Sequence, residues 1–255
     1  MHGAAEPWVG QAVATLLLSL RIVPTLAFAQ PFTLIRIPAP VRVALSIALA
    51  AWLVAGNPDA TWRAAASGGG PIVVAAGELL LGIALALALQ LAFAALLVAG
   101  RTIDIQAGYG LAVLVDPSTR TQLPLVGTVF AYAAGAVFFA TDGPARLLAI
   151  WAASLRHAPM GSALAATDPN VLIGYVSGVF LMAMGLVGLL LVVLLILDLA
   201  IALMSRTLPQ MNVLLFGFQV KTLATMIVLP IALALSGSLF ATLISSALDT
   251  MARIG

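Results

Sequence analysis

The stretch "IALALALQLAFA", Ile83 to Ala94, decides how the rest of the chain is read. Large and small apolar residues alternate along it as they do along a strand. An isolated strand in lipid would leave its backbone N–H and C=O groups unpaired, whereas a helix satisfies them internally. Ala and Leu are also strong helix formers. The stretch therefore reads as the middle of a helix, and the chain as all-α.

Composition agrees with a membrane setting. Of 255 residues, 63% are hydrophobic and 8% charged, and the mean hydropathy is +1.17. Soluble domains do not reach these values, so a lipid bilayer is the expected surrounding. The net charge of +2 comes from eleven basic and nine acidic side chains without a basic stripe, which excludes nucleic acid as a partner. There is no cysteine, hence no disulfide or thiolate chemistry, and only His2 and His157 are available as imidazoles. Neither a phosphate-cradling Gly-x-x-x-x-Gly-Lys loop, nor His-Glu-x-x-His, nor Gly-x-Ser-x-Gly occurs. An enzyme is not expected, and no cofactor is implied.

Six apolar segments read as helices: about Trp8 to Ala29, Val41 to Gly56, Pro71 to Gly100, Leu123 to Ala140, Val171 to Met204, and Thr222 to Leu248. An amphipathic piece is expected from Ala145 to Arg156. "LAFAQ", Leu26 to Gln30, offers an Ala-x-Ala cleavage pattern. No basic residue precedes Arg21, however, so the first segment is expected to be a helix of the mature protein. At about 1.5 Å per residue, Val171 to Met204 would span roughly 50 Å and Val41 to Gly56 about 24 Å, against a hydrocarbon core of about 30 Å. Such lengths suit tilted or kinked helices, or helices covered partly by other protein. Basic residues are nearly balanced between the two sets of loops and favour both termini outside only weakly.

Charges inside apolar segments need reasons, because an acid at a membrane helix centre costs about 2.5 to 3.5 kcal/mol. Glu78, near the start of the third segment, is expected to snorkel or meet a terminal amide. Asp198 lies eight residues before Arg206, on roughly the same face but out of direct reach. It is either an interfacial residue or a contact to a neighbouring subunit. Arg21, which keeps its charge, implies a partner or a pore. Gly174-x-x-x-Gly178, followed by Gly185 and Gly188, would permit close helix approach. Between the third and fourth segments lies "GYGLAVLVDPSTRTQLP", Gly108 to Pro124, which places an apolar centre between a glycine hinge and an Asp116-Pro117 turn.

Three stretches together resemble the flagellar biosynthetic protein FliR family. They are "LRIVPTLAFAQPFTLIRIPAPVRVALSIALA" (Leu20 to Ala50), "AGRTIDIQAGYGLAVLVDPSTRTQLP" (Ala99 to Pro124) and "SRTLPQMNVLLFGFQVK" (Ser205 to Lys221). In the last, Arg206, Pro209-Gln210-Met211-Asn212-Val213 and Lys221 are the most specific. The resemblance implies one membrane-embedded domain over residues 1–255, with about six long helices in hairpins. It further implies a non-enzymatic subunit of the flagellar type III export gate, in the bacterial inner membrane at the flagellar basal body. Partners would be FliP-like and FliQ-like subunits, an FlhB-like switch subunit and exported unfolded flagellar proteins. A lumen-plugging loop is implied at Gly108, Tyr109, Gly110, Leu111, Val113, Leu114, Val115, Asp116, Pro117, Gln122 and Pro124. Subunit contacts are expected at Arg21, Arg42, Asp198, Arg206, Pro209, Gln210, Asn212 and Lys221. The alternatives are an injectisome export subunit, which shares the pattern, and a small-solute transporter.

Overall fold

The computed structural model describes residues 7–58, 70–109, 114–115, 122–161, 169–207 and 213–255. Among these, the helices are α1 (Pro7–Phe28), α2 (Ala39–Gly56), α3 (Pro71–Ala107), α4 (Leu125–Ala140), α5 (Gly143–His157), α6 (Pro169–Thr207), α7 (Val213–Leu235) and α8 (Gly237–Ile254). Ile83 to Ala94 lies wholly inside α3, so the alternating stretch is helix. The protein is an all-α polytopic membrane protein. Its strands, β1 (Leu114–Val115) and β2 (Gln122–Leu123), form a two-residue antiparallel ladder inside the α3–α4 loop. Among the described residues, five helices are long and apolar enough to cross a membrane, or up to six if α4 and α5 form one broken span. That break has a local cause. Asp142 sits in the left-handed region at φ 57°, and Gly143-Pro144 then starts α5 with proline in its first turn.

Two expectations are corrected at element ends. The third helix continues past Gly100 to Ala107, giving it 37 residues. The last apolar segment is two helices, because the chain breaks at Ser236, where two weak helix formers, Ser236 and Gly237, adjoin. The amphipathic piece is present as α5, with Leu147, Ile150, Trp151 and Leu155 on its buried face.

The chain forms two compact units: residues 1–91, 138–176 and 244–255 in the first, and residues 92–137 and 177–243 in the second. In the first, α1 and α2 pack on each other, and the Arg42 guanidinium donates to the Ala27 carbonyl at their turn. Leu18, Ile22, Leu81, Leu85 and Trp151 are among its fully buried side chains. Helix α1 approaches α3 at Gly82, where a Cβ would lie 2.6 Å from the Leu20 carbonyl oxygen. In the second unit, Phe93, Leu96, Phe130, Val187 and Leu194 are buried, and the Phe130 and Phe240 rings meet edge to face at 6.1 Å.

Candidate functional site

Two polar clusters stand out in this apolar chain, one in each unit. In the first unit, Arg21 of α1 is 0% exposed. Its Nε donates to Glu78 Oε2 at 2.8 Å, and its Nη2 lies 2.7 Å from the same oxygen. Nη1 donates to the Ser154 carbonyl at 3.0 Å and to Ser154 Oγ at 2.9 Å, while Nη2 donates to the Ala158 carbonyl at 3.0 Å. Both carbonyls belong to the end of α5, where the helix dipole favours a cation. The second Glu78 oxygen accepts the Gly161 N–H at 3.2 Å. One buried ion pair thus ties α1 to α3 and caps α5.

This corrects two readings. Arg21 was expected at a subunit contact, but it is enclosed within its own unit. Glu78 neither snorkels nor meets only an amide; it is the counter-ion of Arg21. The two are 57 positions apart, so no spacing within a helix could have joined them. A usable signal was arithmetic: Arg21 is the sole basic residue of α1, and Glu78 is the sole glutamate after Glu6.

In the second unit, a cluster stands at the foot of the α3–α4 loop. Lys221 of α7 pairs with Asp198 Oδ1 of α6. Its Nζ also donates to the Gln106 carbonyl in the last turn of α3 at 3.3 Å. The Gln106 side-chain amide closes the triangle by donating to Asp198 Oδ2 at 2.8 Å. Three residues further on, the Tyr109 hydroxyl donates to the Thr222 carbonyl at 3.2 Å. Burial pushes the Tyr109 phenol above its ordinary pKa. Gly108 ends α3 at φ +82°, and a Cβ there would lie 2.7 Å from Phe218 Cδ2. Both the backbone angle and the space therefore call for glycine.

The exit from the loop is equally built. The Pro124 carbonyl accepts the Thr128 N–H at 2.9 Å and Oγ1 at 2.6 Å. Asp104 Oδ1 of α3 accepts the Val126 N–H at 3.1 Å, taking up a free amide in the first turn of α4. Gly100 and Gly127 bring the two helices so close that a Cβ on Gly100 would fall 2.1 Å from Gly127 Cα.

Of the expected loop residues, Gly108 and Tyr109 are anchored as described, Leu114 and Val115 pair with Leu123 and Gln122, and Pro124 leads into α4. Gly110, Leu111, Val113, Asp116 and Pro117 lie outside the described residues. Of the expected contact residues, Asp198 finds its cation within the chain, on Lys221, and Arg42 is half-buried at the α1–α2 turn. Arg206 is exposed in the last turn of α6. Pro209, Gln210 and Asn212 lie outside the described residues. Gln106, Phe218 and Thr222 were not anticipated, since each acts through a helix-end carbonyl, a ring face or its own backbone. Among the described residues, no group of three or more metal-ligating side chains could hold an ion.

The description "Bacterial export proteins, family 1" matches residues 12–247. Flagellar biosynthetic protein FliR of Escherichia coli (strain K12) is 32% identical over 152 residues, covering 57% of this chain and 56% of the relative. FliR of Aquifex aeolicus (strain VF5) is 30% identical, with 64% of each chain covered. FliR of Bacillus subtilis (strain 168) is 26% identical over 72% of each. The chain thus spans 56% and 64% of the length of the first two relatives. With residues 12–247 matched, this multi-pass membrane protein belongs to the bacterial export proteins, family 1, with FliR proteins among its relatives.

Proposed function

We propose that this chain is a non-enzymatic subunit of a flagellar type III protein export gate in the bacterial inner membrane. FliP-like and FliQ-like chains are its gate partners, an FlhB-like chain docks on its cytoplasmic side, and unfolded flagellar proteins are the cargo. The observation that carries the reading is the family match over residues 12–247, with FliR relatives from three organisms behind it. The helices are unevenly buried within the chain. The most apolar window of α3 is 61% buried, while those of α2 and α7 are 22% and 11% buried. An assembly would cover such faces with protein as well as lipid.

In this reading the Gly108 to Pro124 loop occludes the pore at rest. Apolar segments seal pores against water and ions, and non-helical backbone at membrane depth is tolerated where protein or a water-filled cavity surrounds it. The anchors at both loop ends support a segment whose position matters. Arg206 and the Pro209-Gln210-Met211-Asn212 stretch serve as contacts to neighbouring subunits.

Affinity purification in mild detergent tests the assembly. A large complex containing FliP-like and FliQ-like chains is expected; a stable monomer or homodimer with solute uptake would overturn the reading. Deleting Ala112 to Ser118 tests the plug. Cells that still assemble the gate should then become permeable to small molecules, and unchanged permeability with normal assembly defeats the plug.

A further inference from the structure

We infer that Lys221 is a positioning residue that pins the start of the α3–α4 loop, and that Asp198 and Gln106 complete the pin. The inference rests on the plug reading above and says which side chains hold the plug in place.

The geometry has three parts. Lys221 Nζ joins the Asp198 carboxylate to the Gln106 carbonyl, which belongs to the last helical turn before the loop. That carbonyl is among the acceptors a helix C-terminus leaves without an intrahelical donor, and a cation there is favoured by the helix dipole. Gln106 then reaches Asp198 with its own amide at 2.8 Å, so backbone and side chain of one residue are both held. Immediately beyond, Gly108 packs on Phe218 and Tyr109 bonds to the Thr222 carbonyl. Each of these partners other than Asp198 comes from a single turn and a half of α7. The first loop residues therefore have their direction set by α7, and Lys221 is the ionic part of that contact.

A different construction would serve if the triangle only stabilised the unit. A helix C-terminus can be capped by glycine alone, and Gly108 already provides its N–H to the Ile105 carbonyl at 3.2 Å. The charged triangle is added to that cap. It also remains partly accessible, with Lys221 and Asp198 side chains 20% and 35% exposed, so α7 can release it without exposing a dry buried charge.

The test uses cells carrying the complete gate and measures uptake of a small membrane-impermeant dye per assembled complex. Lys221→Met should raise uptake several-fold, toward the level of the Ala112–Ser118 deletion, and Lys221→Arg should restore the seal, because a guanidinium can bridge the same two oxygens. A merely structural role would instead lower the amount of complex and leave uptake per complex unchanged; that result overturns the inference. Where Lys221→Met assembles poorly, Tyr109→Phe decides: it removes the hydroxyl that bonds the Thr222 carbonyl and should give a smaller leak, and no leak overturns the inference. If the deletion leaks while the point variants do not, the pin fails and the plug stands. If the deletion is tight, the plug reading itself fails.

Discussion

Arg21 shows what a charge requires inside an apolar protein. Its five N–H donors all find acceptors, and the acceptors come from α3 and the end of α5. Removing one partner of such a pair leaves the other buried and uncompensated, which costs about 3 to 5 kcal/mol. Arg21→Met or Glu78→Gln alone should therefore lower the thermal midpoint of the detergent-purified chain sharply. The double variant Arg21→Met with Glu78→Gln should be less unstable than either single one, since no unpaired charge remains. Strictly additive losses would show that the two side chains do not act as a pair. Only half of this was legible beforehand. Burial of Arg21 in an apolar run demands a partner on physical grounds alone, but the identity of that partner depends on which helices adjoin. Asp198 repeats the lesson: Arg206 stands on its own helix but out of direct reach, while the cation it pairs with stands on α7, at Lys221.

At the scale of helices, small residues separate contacts made within the chain from faces left open. Gly100 and Gly127 are in backbone contact, and any side chain at Gly100 must push α3 away from α4. Gly185 of α6 has nothing within 4 Å of where a Cβ would stand. Overpacking costs about 1 to 3 kcal/mol, while glycine in an open helix position is worse than alanine by about 1 kcal/mol. Gly100→Ala should thus destabilise the isolated chain, and Gly185→Ala should leave it unchanged or slightly firmer, as read by thermal unfolding in detergent. Equal effects would mean that the α3–α4 crossing is not tight. Helix existence was legible throughout from apolar runs, including the stretch that alternates like a strand. Helix ends were less so: the polar residues after Gly100 suggest a loop, yet Asp104 is taken up by the Val126 amide and Gln106 by Asp198, so the helix can continue.

For the whole molecule, exposed apolar surface alone does not separate lipid from protein, since lipid tails cover leucine as well as a neighbouring helix does. Glycine discriminates better. Lipid gains nothing from a missing side chain, whereas two helices approach closely only where side chains are small. Gly174, Gly178, Gly185 and Gly188 of α6 follow one another at spacings of one face, and each is open in the isolated chain. In the proposed gate that face is covered by a helix of a neighbouring subunit. Gly178→Leu and Gly185→Leu should then leave insertion and thermal stability of the isolated chain intact, because a Cβ at either position meets nothing within 4 Å. The same variants should reduce the yield of FliP-like and FliQ-like chains recovered with it. Recovery of the complex at full yield would assign the face to lipid, and the assembly would have to be sought on α2 or α7, whose windows are the least buried of the candidate spans.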